Sequence, residues 1–183
     1  LDTASNVTYT GASNANGNDA ATLTVRANDG DGSGNVDLGT VNLDITAVND
    51  DPEISGLASD VTVTEDTASN LDLSASAFSD VDSSGTVTVY LIAGAGTMTA
   101  TSGGSVTVGG SGTGTLSLSG TFTNINTFLD TASNVQYTGA SDASGNDATT
   151  ITVRANDGDG SGNVDLGTVN VDITAVNDAP AHH

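Results

Sequence analysis

Residues 1–50 recur at 129–178 without a gap, at a constant offset of 128 positions, and 44 of the 50 are identical. The six differences fall at 8/136, 14/142, 16/144, 21/149, 23/151 and 43/171. A chain that repeats itself this closely reads as a slice of a tandem array, in which every unit must pack in the same way as its neighbours. The recurring block ends in Ala-Val-Asn-Asp before Asp51-Pro52 and again before Ala179-Pro180, so the boundary between repeats is placed there. Residues 51–178 then make one complete repeat, and residues 1–50 the C-terminal part of the preceding one. Residues 179–183 open the next linker and close on His182-His183, which reads as the start of a purification tag.

Within the complete repeat the apolar residues alternate in short runs: Val61/Val63, Leu71/Leu73, Val87/Val89/Leu91, Val106/Val108, Leu116/Leu118, Val135/Tyr137, Ile151/Val153 and Val169/Val171/Ile173. Each run has strand length and period 2, is rich in Thr and Val, and is bounded by Gly, Ser, Asn or Asp. The expected fold is all-β, a tandem of antiparallel Ig-like β-sandwich repeats. One segment departs from the alternation: in Thr123–Asp130, the residues Ile125, Phe128 and Leu129 fall at i, i+3 and i+4 and predict a single helical turn. The aromatic residues Tyr9, Tyr90, Tyr137, Phe122 and Phe128 sit in apolar patterns and are read as core.

The first fifty residues hold about three strands' worth of pattern, half of such a fold. Their inward-facing set, Val7, Tyr9, Leu23, Val25, Val41, Leu43 and Ile45, would lie open to water unless something covers it. The cover could be a segment outside the sequence, a segment lost by proteolysis, or strands of a second chain. Edge-to-edge pairing in a homo-oligomer is the favoured expectation.

Composition decides which chemistries remain. With 23 acidic residues against Arg26 and Arg154, no lysine and a formal net charge of −21, the chain has no basic footprint for nucleic acid or an anionic membrane. No cysteine is present and both histidines are terminal, which excludes a disulfide framework, a thiolate nucleophile, a zinc cluster and a Ser/His/Asp triad within the fold. No run of about 18 apolar residues occurs, so membrane insertion is not expected. The chain is read as a soluble piece of something larger.

Three acidic motifs are candidates for chemistry. The loop Asn28–Asp37 places side-chain oxygens at alternate positions, Asp29, Asp31, Ser33, Asn35 and Asp37, with glycines between that allow a tight turn. Its twin carries Asp157, Asp159, Ser161, Asn163 and Asp165. Asp29, Asp31, Ser33 and Gly34 fit positions 1, 3, 5 and 6 of an EF-hand loop, but Thr40 stands where the bidentate glutamate belongs and the flanks are strands. The loop is therefore either a hard-cation site on a hairpin, with further ligands from elsewhere, or a solvated Asp/Gly turn. A second cluster surrounds the boundary: Asn49, Asp50 and Asp51, then Glu65 and Asp66 at the end of a strand, then Asp80 and Asp82. These oxygens could converge on the linker or form separate acidic loops. A third stretch, Asn14–Asp19 and its twin Asp142–Asp147, is read as a turn closed by Asx hydrogen bonds.

At these residues the chain resembles a known family. The Val-Asn-Asp-x-Pro junctions at 48–52 and 176–180, the Thr64-x-Glu65-Asp66 end of the first strand, the Asp80-Val-Asp82 pair and the Gly120–Asn126 run look like the bacterial cadherin-like, or VCBS-type, repeats of giant surface adhesins. The resemblance covers the whole chain. Against the cadherin linker, Ala47 stands where its first aspartate belongs. The RTX nonapeptide is absent, since Gly109–Gly114 carries no aspartate. The resemblance implies a cadherin-like β-sandwich extender, calcium ions at domain junctions, and export to the surface of Gram-negative bacteria, often by type I secretion.

A calcium-stiffened spacer, whose partners are the neighbouring repeats, therefore ranks first. The alternative is a carbohydrate- or surface-binding module, which needs exposed aromatic platforms. Catalysis is not expected: Glu65 and Asp66 are strand neighbours pointing to opposite faces, and Asp80 with Asp82 suit a metal better than an acid/base pair.

Overall fold

A computed structural model describes residues 6–178. Among these residues the fold is all-β apart from one short helix and 3₁₀ turns. Backbone proximity divides the chain into two compact units, Leu1–Val48 and Asn49–His183. The expectations for residues 179–183 fall outside the described residues.

The first unit is an antiparallel hairpin of β1 (Gly17–Ala27) and β2 (Val36–Ile45). Its register runs from Gly17 opposite Ile45 to Ala27 opposite Val36, with irregularities between Gly17 and Ala21 and between Val25 and Arg26. Leu23, Val25 and Val41 line one face of the hairpin and are 45%, 44% and 49% exposed. Tyr9, expected in a core, is also exposed.

In the second unit, in chain order, the strands are β3 (Glu53–Ser55), β4 (Asp60–Thr64), β5 (Ser69–Asn70), β6 (Ala77–Ser79), β7 (Val87–Ala93), β8 (Thr97–Ala100), β9 (Thr107–Gly109) and β10 (Thr115–Gly120). Helix α1 (Phe122–Leu129) follows, then β11 (Val135–Thr138), β12 (Gly145–Asn156) and β13 (Val164–Thr174). A six-stranded sheet has the order β4-β13-β12-β7-β10-β9, a three-stranded sheet the order β5-β11-β8, and β3 pairs with β6. Every pairing is antiparallel except β4 with β13, where Val61 lies beside Val171 and Val63 beside Ile173. That parallel pair matters for the site, since it sends both strands to the same end of the unit.

The alternating residues deliver the core as the pleat requires. Val87, Val89, Leu91, Leu116, Leu118, Ile151, Val153, Val169, Val171 and Ile173 are buried on one side, meeting Leu71, Leu73, Met98, Val135 and Tyr137 in a single cluster. Leu71 and Leu73 are buried as expected but lie beyond the end of β5, in a turn where Asp72 accepts hydrogen bonds from the Ser74 amide and hydroxyl at 3.0 and 2.6 Å. The helical turn expected at 123–130 is an eight-residue helix starting one residue earlier. The Thr121 hydroxyl caps it by accepting from Asn124 N at 3.2 Å. Phe122 joins the apolar face by stacking on Phe78, with ring centroids 6.4 Å apart, and the Asn126 side chain both accepts from Phe78 N and donates to Phe78 O at 2.9 Å. No helix among the described residues is long and apolar enough to cross a membrane.

The hairpin β12–β13 repeats the register and both irregularities of β1–β2 residue for residue. Its Ile151, Val153 and Val169 are the counterparts of Leu23, Val25 and Val41, and all three are fully buried. Local sequence therefore sets the hairpin, and the rest of the repeat sets its burial.

Candidate metal centre

The loop between β12 and β13 winds around its own aspartate. Asp157 Oδ1 accepts from Asp159 N at 2.9 Å, Gly158 N donates to Asn156 Oδ1 at 2.9 Å, and Asn156 Nδ2 donates to Asn163 Oδ1 at 3.0 Å. The same bonds form in the first unit: Asp31 N to Asp29 Oδ1 at 3.0 Å, Gly30 N to Asn28 Oδ1 at 2.8 Å, and Asn28 Nδ2 to Asn35 Oδ1 at 3.2 Å. The loop shape is thus written in Asn-Asp-Gly-Asp-Gly-Ser-Gly-Asn itself. Its glycines at 30, 32 and 34 all take positive φ, which side-chain-bearing residues rarely adopt.

Burial distinguishes the two loops. Asp29 is exposed, whereas Asp157 is 3% exposed, because residues of the linker lie against it. Asn49 Nδ2 donates to Asp157 Oδ2 at 2.9 Å and to Ser161 Oγ at 2.6 Å. The Asn49 amide holds the Asp157 carboxyl below the usual carboxylate range, outweighing the opposing effect of burial. One residue along, Asp50 N donates to Asp82 Oδ2 at 3.2 Å. Asp80 Oδ1 in turn accepts from Asp82 N and Ser83 N at 3.1 and 3.2 Å. Consecutive linker residues therefore reach two separate acidic loops, Asn49 the loop of Asp157 and Ser161 and Asp50 the loop of Asp80 and Asp82, and among the described residues no three carboxylates of these loops lie within 4.8 Å of one another.

Two oxygens in this region are unsatisfied. Asp80 Oδ2 and Ser83 Oγ are buried without a hydrogen-bond partner. Both residues line a cleft of about 370 Å³ with Thr121, Thr123 and Asn126. Burial, and then the neighbouring Asp82 carboxylate, push the Asp80 carboxyl above its ordinary range. Two abutting carboxylates and orphaned oxygens, with no lysine anywhere in the chain, fit a hard cation bound by oxygen ligands.

Other candidates lie elsewhere. Asp37 and Asp165 are in strands, where Asp37 pairs with Arg26 at 2.5 Å and Asp165 with Arg154, so their carboxylates serve cross-strand ion pairs. Asn35 and Asn163 spend their oxygens closing their loops. Asp29, Asp31 and Ser33 belong to the first unit's exposed loop. Asp51 is exposed beside buried Pro52 and makes no side-chain hydrogen bond among the described residues. Glu65 and Asp66 do not join the linker cluster, because β4 runs parallel to β13 and ends where β13 ends, away from the loop that precedes Val164. There Glu65, 4% exposed, accepts from Val176 N at 2.9 Å, while its own amide donates to Thr174 O at 2.9 Å. It grips the segment leaving the repeat.

One cluster escapes sequence reasoning. Carboxylate oxygens of Asp60, Asp147 and Asp172 lie within 4.8 Å of one another. Asp172 Oδ1 accepts from Asp147 N at 2.7 Å inside the irregularity of β12, and Asp60 enters from the neighbouring strand. The signal available was that Asp19 and Asp44 repeat the pair, with Asp19 N donating to Asp44 Oδ1 at 2.9 Å. The third member depends on the β4–β13 pairing, which no local pattern announces.

Comparison with protein-family models, with curated proteins and with solved structures finds no match for this chain.

Proposed function

We propose that the chain is a spacer of a bacterial surface adhesin, an extracellular array of cadherin-like β-sandwich repeats stiffened by calcium. The observation that carries this reading is the double anchorage of one linker: Asn49 on Asp157 and Ser161, and Asp50 on Asp82, beside the orphaned Asp80 Oδ2. A spacer must hold the segment by which each repeat is entered, and that segment is the one both acidic loops touch. Calcium would be held by the carboxylates of these two loops, Asp80 and Asp82 on one and Asp157 and Asp159 on the other, with Asn49 seated on the second and Asp50 on the first. When bound it supplies positive charge that offsets the mutual repulsion of these carboxylates.

The far end of the repeat supports the same reading. Residues 176–178 are Val-Asn-Asp, as are 48–50. The linker that buried Glu65 grips at Val176 therefore carries the same Asn-Asp that a following repeat would seat on its own acidic loops. Four of the six aromatic residues, Phe78, Phe122, Phe128 and Tyr137, are buried in the core, and Tyr9, exposed, and Tyr90, half-buried, remain, which favours a spacer over a sugar-binding module. Near-identical successive repeats also suit a rod, which needs length more than a unique pocket.

Thermal unfolding tests the reading. With an affinity of about 0.1 mM, as extracellular modules have, about 10 mM calcium stabilises by roughly 2.7 kcal/mol per site. A rise in Tm that EDTA abolishes is expected; an unchanged Tm would falsify the reading.

A further inference from the structure

The chain carries one hairpin twice and, in residues 51–128, a single seat for it. β12–β13 fills that seat: it pairs antiparallel with β7, from Ile151 opposite Ala93 to Asn156 opposite Thr88, and parallel with β4, from Asn170 beside Asp60 to Thr174 beside Thr64. β1–β2 has the same register, and its inward residues match except for Leu23 in place of Ile151 and Leu43 in place of Val171, both changes between apolar residues. Exchanging hairpins does not alter the count. Whichever one takes the seat, within a chain or between two chains, an equally apolar hairpin is left over in every copy, and displacing a covalently joined one brings no net burial.

Area and charge point to what covers the hairpin left over. Leu23, Val25 and Val41 are about half exposed, and Tyr9, Val36 and Leu38 are 54%, 53% and 64% exposed. At about 150–200 Å² for a fully exposed residue of this size, these six open roughly 500 Å², a patch in the range that marks an interaction site. Two such surfaces in contact bury about 1,000 Å², where the size range of specific interfaces begins. No charge is desolvated on that face, since Arg26 and Asp37 pair with one another on the opposite side of the hairpin. Edge-to-edge pairing, the arrangement expected from the sequence, would add strands to the sheet and leave its apolar face open. Stacking closes it, with the two layers about 10 Å apart.

We propose that two copies of the chain associate through β1–β2, apolar face on apolar face, as an isologous dimer in which Leu23, Val25 and Val41 of each hairpin pack against those of the other. Four strands in two layers then share an enclosed apolar centre, which a lone two-stranded hairpin lacks. The dimer rests on apolar burial and not on the metal. Because both partners carry a formal charge of −21, their repulsion opposes it, and salt that screens this repulsion favours it.

The test is the molar mass of the full chain by light scattering from about 1 to 300 μM, a span that covers the micromolar affinities common at this interface size. Amide hydrogen exchange is followed on the same samples in saturating calcium. The mass should rise from 17.9 kDa towards twice that value as concentration increases, and exchange at 23–28 should slow in step with it. Peptides covering 151–156 should be protected throughout, which reports in the same molecule that the repeat is folded. Raising NaCl from about 20 to 150 mM should tighten the dimer; a weakening would mean that ion pairs hold it and would overturn the proposal. Val25→Lys with Val41→Lys should give a monomer with 151–156 still protected, whereas Thr22→Lys with Thr24→Lys, on the other side of the same strand, should leave the dimer intact. A monomer at every concentration overturns the proposal. So does a dimer that survives Val25→Lys with Val41→Lys, since it would be joined by its edges, by a bridging ion or through another surface.

Discussion

Asn49 and Asp157, 108 residues apart in sequence, meet at 2.9 Å, and the amide of one buries and satisfies the carboxylate of the other. The identical loop at Asp29 has the same internal hydrogen bonds but remains exposed. Whatever distinguishes the two aspartates therefore comes from the linker and its surroundings, not from the loop.

Removing that amide leaves a buried carboxylate short of a donor. Asn49→Ala should destabilise the repeat by about 1–3 kcal/mol, read as a lower denaturant midpoint at unchanged m-value. Glu65→Ala, which orphans Val176 N at the other end of β13, should cost a similar amount. Because the two sites share no partners, the double variant should show the sum within about 0.5 kcal/mol. A larger coupling would mean that the two ends of the repeat communicate.

The cluster of Asp60, Asp147 and Asp172 should respond to calcium with a change of sign. Without the ion three carboxylates repel, so Asp60→Asn should raise Tm in EDTA at low salt. In calcium that gain should shrink or reverse if the cluster takes an ion. An identical gain in both conditions would mark these residues as a merely repulsive surface.

Much of the fold could be read from the sequence, because its signals are local. Period-2 alternation located β7, β10, β12 and β13, and the i, i+3, i+4 spacing of Ile125, Phe128 and Leu129 located α1. The short strands β3, β6 and β8 carry two or three residues of pattern at most and depend on their partners. The site divides in the same way. Asp157, Asp159 and Ser161 follow from loop spacing, whereas the parallel pairing of β4, a tertiary choice, takes Glu65 away from the linker cluster and brings Asp60 to Asp172. Asp165 drops out because Arg154 lies opposite it in the register, at a position that looked like one more oxygen in an alternating row.

Acidification should be felt at Asp72, whose carboxyl the Ser74 hydroxyl, and then the Ser74 amide, hold below its ordinary range. A carboxyl lowered on folding contributes stability that is fully present above its unfolded pKa and is lost as the pH falls through the folded value. Ser74→Ala should move the Asp72 carboxyl resonance titration upward and make the acid-side loss of stability shallower. An unmoved titration would show that the Ser74 amide alone sets the value.

The most direct measurement is an isothermal calcium titration of the full chain beside Asp80→Asn and Asp82→Asn. The orphaned Asp80 Oδ2 and the Asp82–Asp50 contact put these two carboxylates at the linker site. The expected result is saturable binding to the unaltered chain, and loss of at least one ion, or a roughly tenfold or greater weakening of it, in each variant. No heat of binding in the unaltered chain, or the same stoichiometry and affinity in all three proteins, would contradict a calcium-held linker.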